Sequence, residues 1–244
     1  ASPTYPTLPS ALDKSFDSDG KQKFELTNGV DYIHDMQVLD DGKILAVGAI
    51  NNRFGIMRFN ANMTLDATFG TSGRTQASFS EGVHARSFAI DSLGRIIAVG
   101  GDKTARFPSD GSLDTKFSDD GWATDDYVVQ CHSITIEADG NYLVAGRDNH
   151  HFRLSRWSPD GSRTATYERD VNNYDGDYAR SVISKDDGDV FILGVSGDNY
   201  NYGNRRHAVV RLNRDLVFEA EYTYDFGAGG NELVHSSLSL PDGK

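Results

Sequence analysis

An apolar segment, a tight turn ending in glycine and a second apolar segment recur five times along this chain, and that repetition restricts the folds open to it. The copies run from Met36 to Gly48, Phe88 to Gly100, Ile134 to Gly146 and Val182 to Gly194, and a fifth spans Ser237 to Lys244. The turn glycines are Gly42, Gly94, Gly140, Gly188 and Gly243, at steps of 52, 46, 48 and 55 residues. A third apolar segment follows each pair, at Phe54 to Phe59, Ala105 to Phe107, Phe152 to Trp157 and Ala208 to Leu212, with Arg58, Arg106, Arg156 or Arg211 near its end. A second signature, Leu-Asp-x-x-Phe-x-x-x-Gly, comes next at Leu12 to Gly20, Leu65 to Gly73 and Leu113 to Gly121. In the following unit it decays, and Tyr167 is expected to stand in for the Phe. A fourth segment leaves this turn, as at Lys21 to Leu26 and Arg74 to Ser78. Four short strands in about 50 residues predict a propeller blade. The expectation is an all-β propeller of four-stranded antiparallel blades: four near-complete, plus a shared or incomplete fifth. Residues 11–244 form the repeat domain and 1–10 an extended N-terminal segment.

Composition agrees. Among 36 acidic residues, 29 are Asp and 7 are Glu, beside 25 Gly. Asp is poor inside helices and suits turns, where its carboxylate accepts nearby backbone N–H groups. A net charge of −12 argues against nucleic acid or an anionic membrane surface as the main partner. The longest apolar run, Ile44 to Ile50, suits a buried strand and falls far short of the ~18 residues a membrane-spanning helix needs. The single Cys131 excludes an intrachain disulfide and any cysteine-based zinc site, and its apolar neighbours predict a buried hydrophobe. The opening ten residues lack an initiator Met and are rich in Pro, Ser and Thr, as expected of an exported protein after signal cleavage.

The paired signatures, Asp-Gly-Lys-Ile-Leu-Ala-Val-Gly and Leu-Asp-x-x-Phe-x-x-x-Gly, resemble the bacterial delta-sixty repeat, a propeller-type repeat of exported and surface proteins. That resemblance implies a fold and a secreted or cell-surface habit, without a defined reaction.

With strands a to d running from axis to rim, the a–b and c–d turns share one regular face. The b–c loops (Asn51-Asn52, Asp102 to Thr104, Asp148 to His150, Asp198 to Asn204) and the d–a loops share the other. Irregular loops on a rigid scaffold are where binding usually resides. The longest b–c loop supplies Tyr200, Asn201 and Tyr202, and the one before it Asp148 and His150. Rings that stack and amides that donate and accept make these candidates for glycan or protein recognition. The lone d strand at Lys21 to Leu26 and the lone a strand at Glu232 to Leu240 lack blade partners, so an open blade edge could serve self-assembly.

Eight residues before each turn glycine lies a basic side chain: His34, Arg86, His132, Arg180 and His235. In a propeller these form a ring at the mouth of the axial channel on the loop face. Converging donors suit a carboxylate or sulfate. The competing expectation is a hydrogen-bond ring between blades, through Ser87, Ser133, Ser181 or nearby carbonyls and carboxylates, and recurrence in every blade favours it. Arg58, Arg156 and Arg211 are expected to act as structural pins to Asp66 or its equivalents. No cofactor is implied. Asp17 to Gly20 and Ser118 to Gly121 have the look of calcium loops; with Gly20 at loop position six, Leu26 stands where an EF-hand requires a bidentate Glu, so turn-forming Asp is the expected role and a looser calcium site the alternative. Propeller glycosidases place carboxylates at the axial mouth. Asp31, Asp35, Asp177 and Glu232 are the candidates here, against a basic ring that lowers that reading. A non-enzymatic binding module is therefore expected, with a purely structural surface repeat as the alternative.

Overall fold

The computed structural model describes residues 26–225, apart from 78, 80, 81, 149, 172–175 and 198–205. Within them the chain forms four antiparallel sheets of four strands each, every sheet built from four consecutive strands. Blade 1 holds β1 (Tyr32–Val38), β2 (Ile44–Ile50), β3 (Arg53–Phe59) and β4 (Arg74–Gln76). Blade 2 holds β5 (Ser87–Ile90), β6 (Ile96–Gly100), β7 (Lys103–Phe107) and β8 (Trp122–Thr124). Blade 3 holds β9 (Gln130–Ile136), β10 (Tyr142–Arg147), β11 (Phe152–Trp157) and β12 (Arg163–Arg169). Blade 4 holds β13 (Tyr178–Ser184), β14 (Val190–Ser196), β15 (Arg206–Leu212) and β16 (Phe218–Tyr224). The first strands of successive blades pack in series, β1 on β5, β5 on β9 and β9 on β13, as inner strands around an axis do. The strands proposed for a fifth blade fall outside the described residues.

Each second strand is apolar along nearly its whole length because both of its faces are covered. Side chains alternate across a strand, so Ile96 and Ala98 join Leu45, Val47, Phe54 and Ile56 in the seam with blade 1. Ile97 and Val99 meet Tyr142, Val144 and Trp157 in the seam with blade 3. Leu143, Ala145 and Leu154 then meet Val190, Ile192 and Val210 in the next seam.

The a–b turns, three of them Asp-Gly and one Leu93-Gly94, are four copies of one device. The first residue of each turn both donates to and accepts from the far side, as in Leu39 N–H to Lys43 O at 2.8 Å and Gly42 N–H to Leu39 O at 2.9 Å. The Asp adds a bond to the amide two residues on: Lys43 to Asp41 at 3.0 Å, Asn141 to Asp139 at 3.0 Å, Asp189 to Asp187 at 3.1 Å. Gly42, Gly94, Gly140 and Gly188 sit at φ between 73° and 93°, where a Cβ is strained. The Asp-over-Glu bias is thus turn chemistry.

The second signature locks blades together. Asp66 accepts from the strand-c Arg58 at 2.7 Å and from Lys43 at 2.8 Å, and Asp114 accepts from Arg106 at 2.8 Å. The same guanidinium groups lie over Phe69 and Phe117, 4.7 and 4.9 Å from the ring centroids. Each ring in turn packs on the c–d turn of the following blade: a Cβ added to Gly111 would stand 2.7 Å from Phe69, and one on Gly161 3.0 Å from Phe117. Arg58, Arg106 and Arg156 complete the seam by donating to the carbonyls of Ser109, Pro159 and Arg214.

Blade 3 departs from the expected pattern. Its c–d connection is a short hairpin, with Ser158 N–H bonded to Ser162 O at 2.9 Å, so no loop remains to carry a Leu-Asp-x-x-Phe unit. Tyr167 lies inside the seven-residue β12, packed against the blade 3–4 core, and does not take the place of Phe69 and Phe117. Arg156, lacking an Asp66 equivalent, pairs with Glu137 at 2.7 Å, and Arg211 pairs with Asp189 at 2.8 Å and Glu219 at 3.0 Å. These arginines are pins, held by substitute acids.

Candidate functional site: the axial cleft

His34, Arg86, His132 and Arg180, one from each described blade, line a single cleft of about 160 Å³. Residues from four blades can share a cleft only at the axis. His235 lies outside the described residues.

A common irregularity aims these side chains. In β1, Ile33 pairs with Gly48 and Asp35 with Val47, leaving His34 as the extra residue of a β-bulge. His132 is skipped between Cys131 and Ser133, and Arg180 between Ala179 and Ser181. In blade 2, Arg86 N–H bonds to Val99 O at 2.7 Å while Ser87 also pairs with Val99. A bulge turns its extra side chain away from the regular alternation.

The bulge also explains the glycine that ends each repeat. A Cβ on Gly48, Gly100, Gly146 or Gly194 would stand only 1.8–2.0 Å from the carbonyl oxygen of Tyr32, His84, Gln130 or Tyr178, the residue two before each basic one. Only hydrogen fits there.

The position after the bulge stitches blades together. Ser87 donates to the Asp35 carboxylate at 3.1 Å, and the Ser133 hydroxyl accepts from Val182 N–H at 3.2 Å. Those two hydroxyls therefore do not hold the basic ring, contrary to the expected hydrogen-bond ring through Ser87 and Ser133. Among the described residues, no carboxylate forms an ion pair with His34, Arg86 or His132. Burial, with Arg180, Arg86, Arg147 and His34 around it, pushes the His132 imidazole down to about 3. Burial, Arg86 and His84 also lower His34. The cleft is a concentration of positive charge and N–H donors in an acidic protein.

A polar shelf leads from the cleft to the loops. Tyr32 meets His34 and His84 edge-on, at 4.8 and 5.0 Å between ring centroids, and its hydroxyl bonds to His84 Nδ1. His84 Nε2 lies 3.0 Å from the Asn52 side-chain oxygen. This shelf was not singled out in the sequence. Its signal is the position two before each basic residue, occupied by Tyr32, His84, Gln130 and Tyr178.

The other sequence candidates separate. Tyr200, Asn201, Tyr202 and Glu232 lie outside the described residues. Asp148 is committed to its own loop: it accepts from His150 and His151 N–H at 2.7 and 2.8 Å and pairs with Arg153 at 2.5 Å. Burial alone would raise its pKa, but those donors hold it well below the usual range. His150 is exposed beside His151. Asp31 accepts from Thr27 N–H at 2.9 Å and Asn51 N–H at 2.8 Å. Asp177 is fully buried, bonded to Val171 N–H at 2.6 Å, with Oδ1 lacking a partner among the described residues, and burial pushes its pKa up to about 7. Asp120 turns back to Trp122 N–H at 3.1 Å. Among the described residues, no group of three or more His, Cys, Asp or Glu side chains could hold a metal ion. No helix there is long and apolar enough to cross a membrane. Cys131 is buried and free, and burial raises its thiol pKa.

Residues 39–69 match a family model described as a domain of unknown function (DUF5122) beta-propeller. This supports a β-propeller repeat. No curated protein sequence matches the chain. A solved protein of unknown function from Bacteroides caccae aligns at 13% identity and TM-score 0.52, over 79% of this chain and 67% of that one. A glucose dehydrogenase aligns at 11% identity and TM-score 0.47, over 84% and 74% of the two chains. A GH43 endo-arabinanase from Bacillus licheniformis aligns at 12% identity and TM-score 0.43, over 88% and 84%. At these identities the likeness concerns the fold. The chain is an all-β propeller-repeat protein.

Proposed function

We propose that this chain is a non-catalytic binding module, exported and displayed at the cell surface, that recognises a glycan or a protein through its b–c and d–a loop face. The observation that supports this is the axial cleft: donors from successive blades converge there, and three of them lack an acidic partner among the described residues. The proposed kinship with the delta-sixty repeat supports the exported setting. Two of the candidate catalytic carboxylates are poorly placed for chemistry, since Asp31 is held by loop amides and Asp177 has no surface. Screening the purified protein on a glycan array and against surface proteins of its host tests the reading. A specific ligand lost in Tyr200→Ala/Tyr202→Ala or in axial variants supports it, and a blank screen with folded protein refutes it.

A second reading, a structural repeat in a larger surface assembly, draws on exposed apolar side chains at the two ends of the described fan. They are Val30, Ile33, Met36 and Val38 in and beside β1, and Val217, Phe218, Tyr222 and Tyr224 in and beside β16. Concentration-dependent association in analytical ultracentrifugation, abolished by Met36→Lys or Tyr222→Lys, would favour this reading over the first.

A further inference from the structure

We infer that the axial cleft binds the carboxylate of an acidic sugar, with the ring of that sugar resting on the shelf formed by Tyr32, His84 and Asn52. This deepens the proposed recognition role of the loop face and rests on it.

The donor set comes first. A carboxylate has two oxygens with about four lone-pair sites, and guanidinium and imidazole N–H groups are its strongest neutral-pH partners. His34, Arg86 and His132 present such groups into one cleft, together with Arg180. Each is delivered by the same bulge, and the hydroxyls beside them in Ser87 and Ser133 are already used between blades. The nearest acidic group on the inner strands, Asp35, is turned to Ser87 and forms no ion pair with His34, Arg86 or His132.

Size and charge narrow the ligand. A volume of about 160 Å³ exceeds several times the ~30 Å³ share of one liquid water, enough for an anionic group and the atoms next to it. The whole chain carries −12, so the positive potential is local to the axis. A densely charged polyanion would be opposed by the net negative charge of the chain, whereas a single charge on an otherwise neutral ligand would be opposed far less. The shelf then selects its chemistry. Tyr32, His84 and Asn52 bring two aromatic rings, a hydroxyl and an amide together, groups that suit the C–H faces and hydroxyls of a sugar ring.

The test is a titration followed through the histidine ring resonances in NMR. D-glucuronate is the probe, D-glucose the neutral control and a short Glu-containing peptide the acidic control. The inference expects saturable shifts of His34 and His132 with glucuronate, none with glucose, and at least a tenfold weaker affinity in Arg86→Ala. Arg86 is exposed and its side chain makes no hydrogen bond to the described residues, so that variant keeps the fold. Tyr32→Phe should weaken glucuronate and leave simple acetate unchanged, which separates the shelf from the anion site. No saturable shift, equal shifts with glucose, or an unaltered Arg86→Ala would overturn the inference. Tighter binding of the peptide would overturn the sugar assignment. If glucuronate fails while another array ligand binds, the inference alone falls; a blank array removes the recognition reading beneath it.

Discussion

Asp177 offers the sharpest quantitative test of how the loop face is held. Its carboxyl is fully buried, one oxygen has no partner among the described residues, and burial raises its pKa from 3.8 to about 7. Between about pH 4 and 7 the unfolded chain has released this proton while the folded chain keeps it. Folding therefore takes up a proton, and stability falls as pH rises through that window, then levels off above it. A shift of about 3 units at 1.36 kcal/mol per unit makes the full effect about 4 kcal/mol. His132 acts with opposite sign. Its folded pKa of about 3 lies below the ordinary 6.5, so its contribution is present above pH 6.5 and is lost as pH falls towards 3. The two partly cancel in the wild-type profile, and a direct pH–stability curve would hide both. Asp177→Asn removes one of them while preserving an acceptor for Val171 N–H. Urea unfolding followed by Trp122 and Trp157 fluorescence, in half-unit steps from pH 4 to 8, yields wild-type and variant curves. The wild type minus variant difference should fall by several kcal/mol across the window. A flat or rising difference would refute the burial argument.

Three further outcomes follow from the seams and the bulges. Phe117→Ala should cost about 3–5 kcal/mol by opening a cavity between blade 2 and the Gly161 turn, read as a lower urea midpoint at unchanged m-value. Gly146→Ala should cost about 1–3 kcal/mol or more, because its Cβ meets Gln130 O, and should also misplace His132; the NMR signature of that ring reports it. The Asp66 carboxyl is held well below its ordinary pKa by Lys43, then Thr68 and Arg58, so its stabilisation is present above about pH 4 and lost in stronger acid. Asp66→Asn should accordingly lower stability at neutral pH and flatten the acid limb of the profile.

Strand count, blade order and the division into a regular and a variable face were legible in the sequence, because period-2 burial and Asp-Gly turns are local properties. Ile44 to Ile50 reads as a buried strand, and β2 is buried from Leu45 to its end. The Leu-Asp-x-x-Phe signature was legible as a marker but not as a device, since Phe69 meets its support, Gly111, only across a seam between blades. Tyr167 misled for a related reason. Aromatic identity was visible, whereas the loss of the loop that would position it was a question of hairpin length. Asp148 looked like a ligand because it sits in a variable loop, yet two amides two and three residues ahead both bond to its Oδ1 and Arg153 bonds to its Oδ2.

The basic ring shows why recurrence alone is an ambiguous guide. A side chain repeated in every blade invites a structural explanation, and here each blade does need polar stitching near the axis. The stitching falls to the next residue along, where Ser87 reaches Asp35 and Ser133 receives Val182 N–H. The backbone half of the repeat has its own cause, the close approach that forces Gly48, Gly100, Gly146 and Gly194. Once those two requirements are met, the bulge would tolerate any side chain that points into the cleft. That His34, Arg86 and His132 are basic, with desolvation already opposing the charge on His132 and His34, is a cost for which the described contacts give no structural return. An anion entering the cleft would reverse that cost. It would raise both imidazole pKa values and bind more tightly at pH 5.5 than at pH 8, a dependence that Arg86→Ala should weaken overall and His132→Gln should flatten.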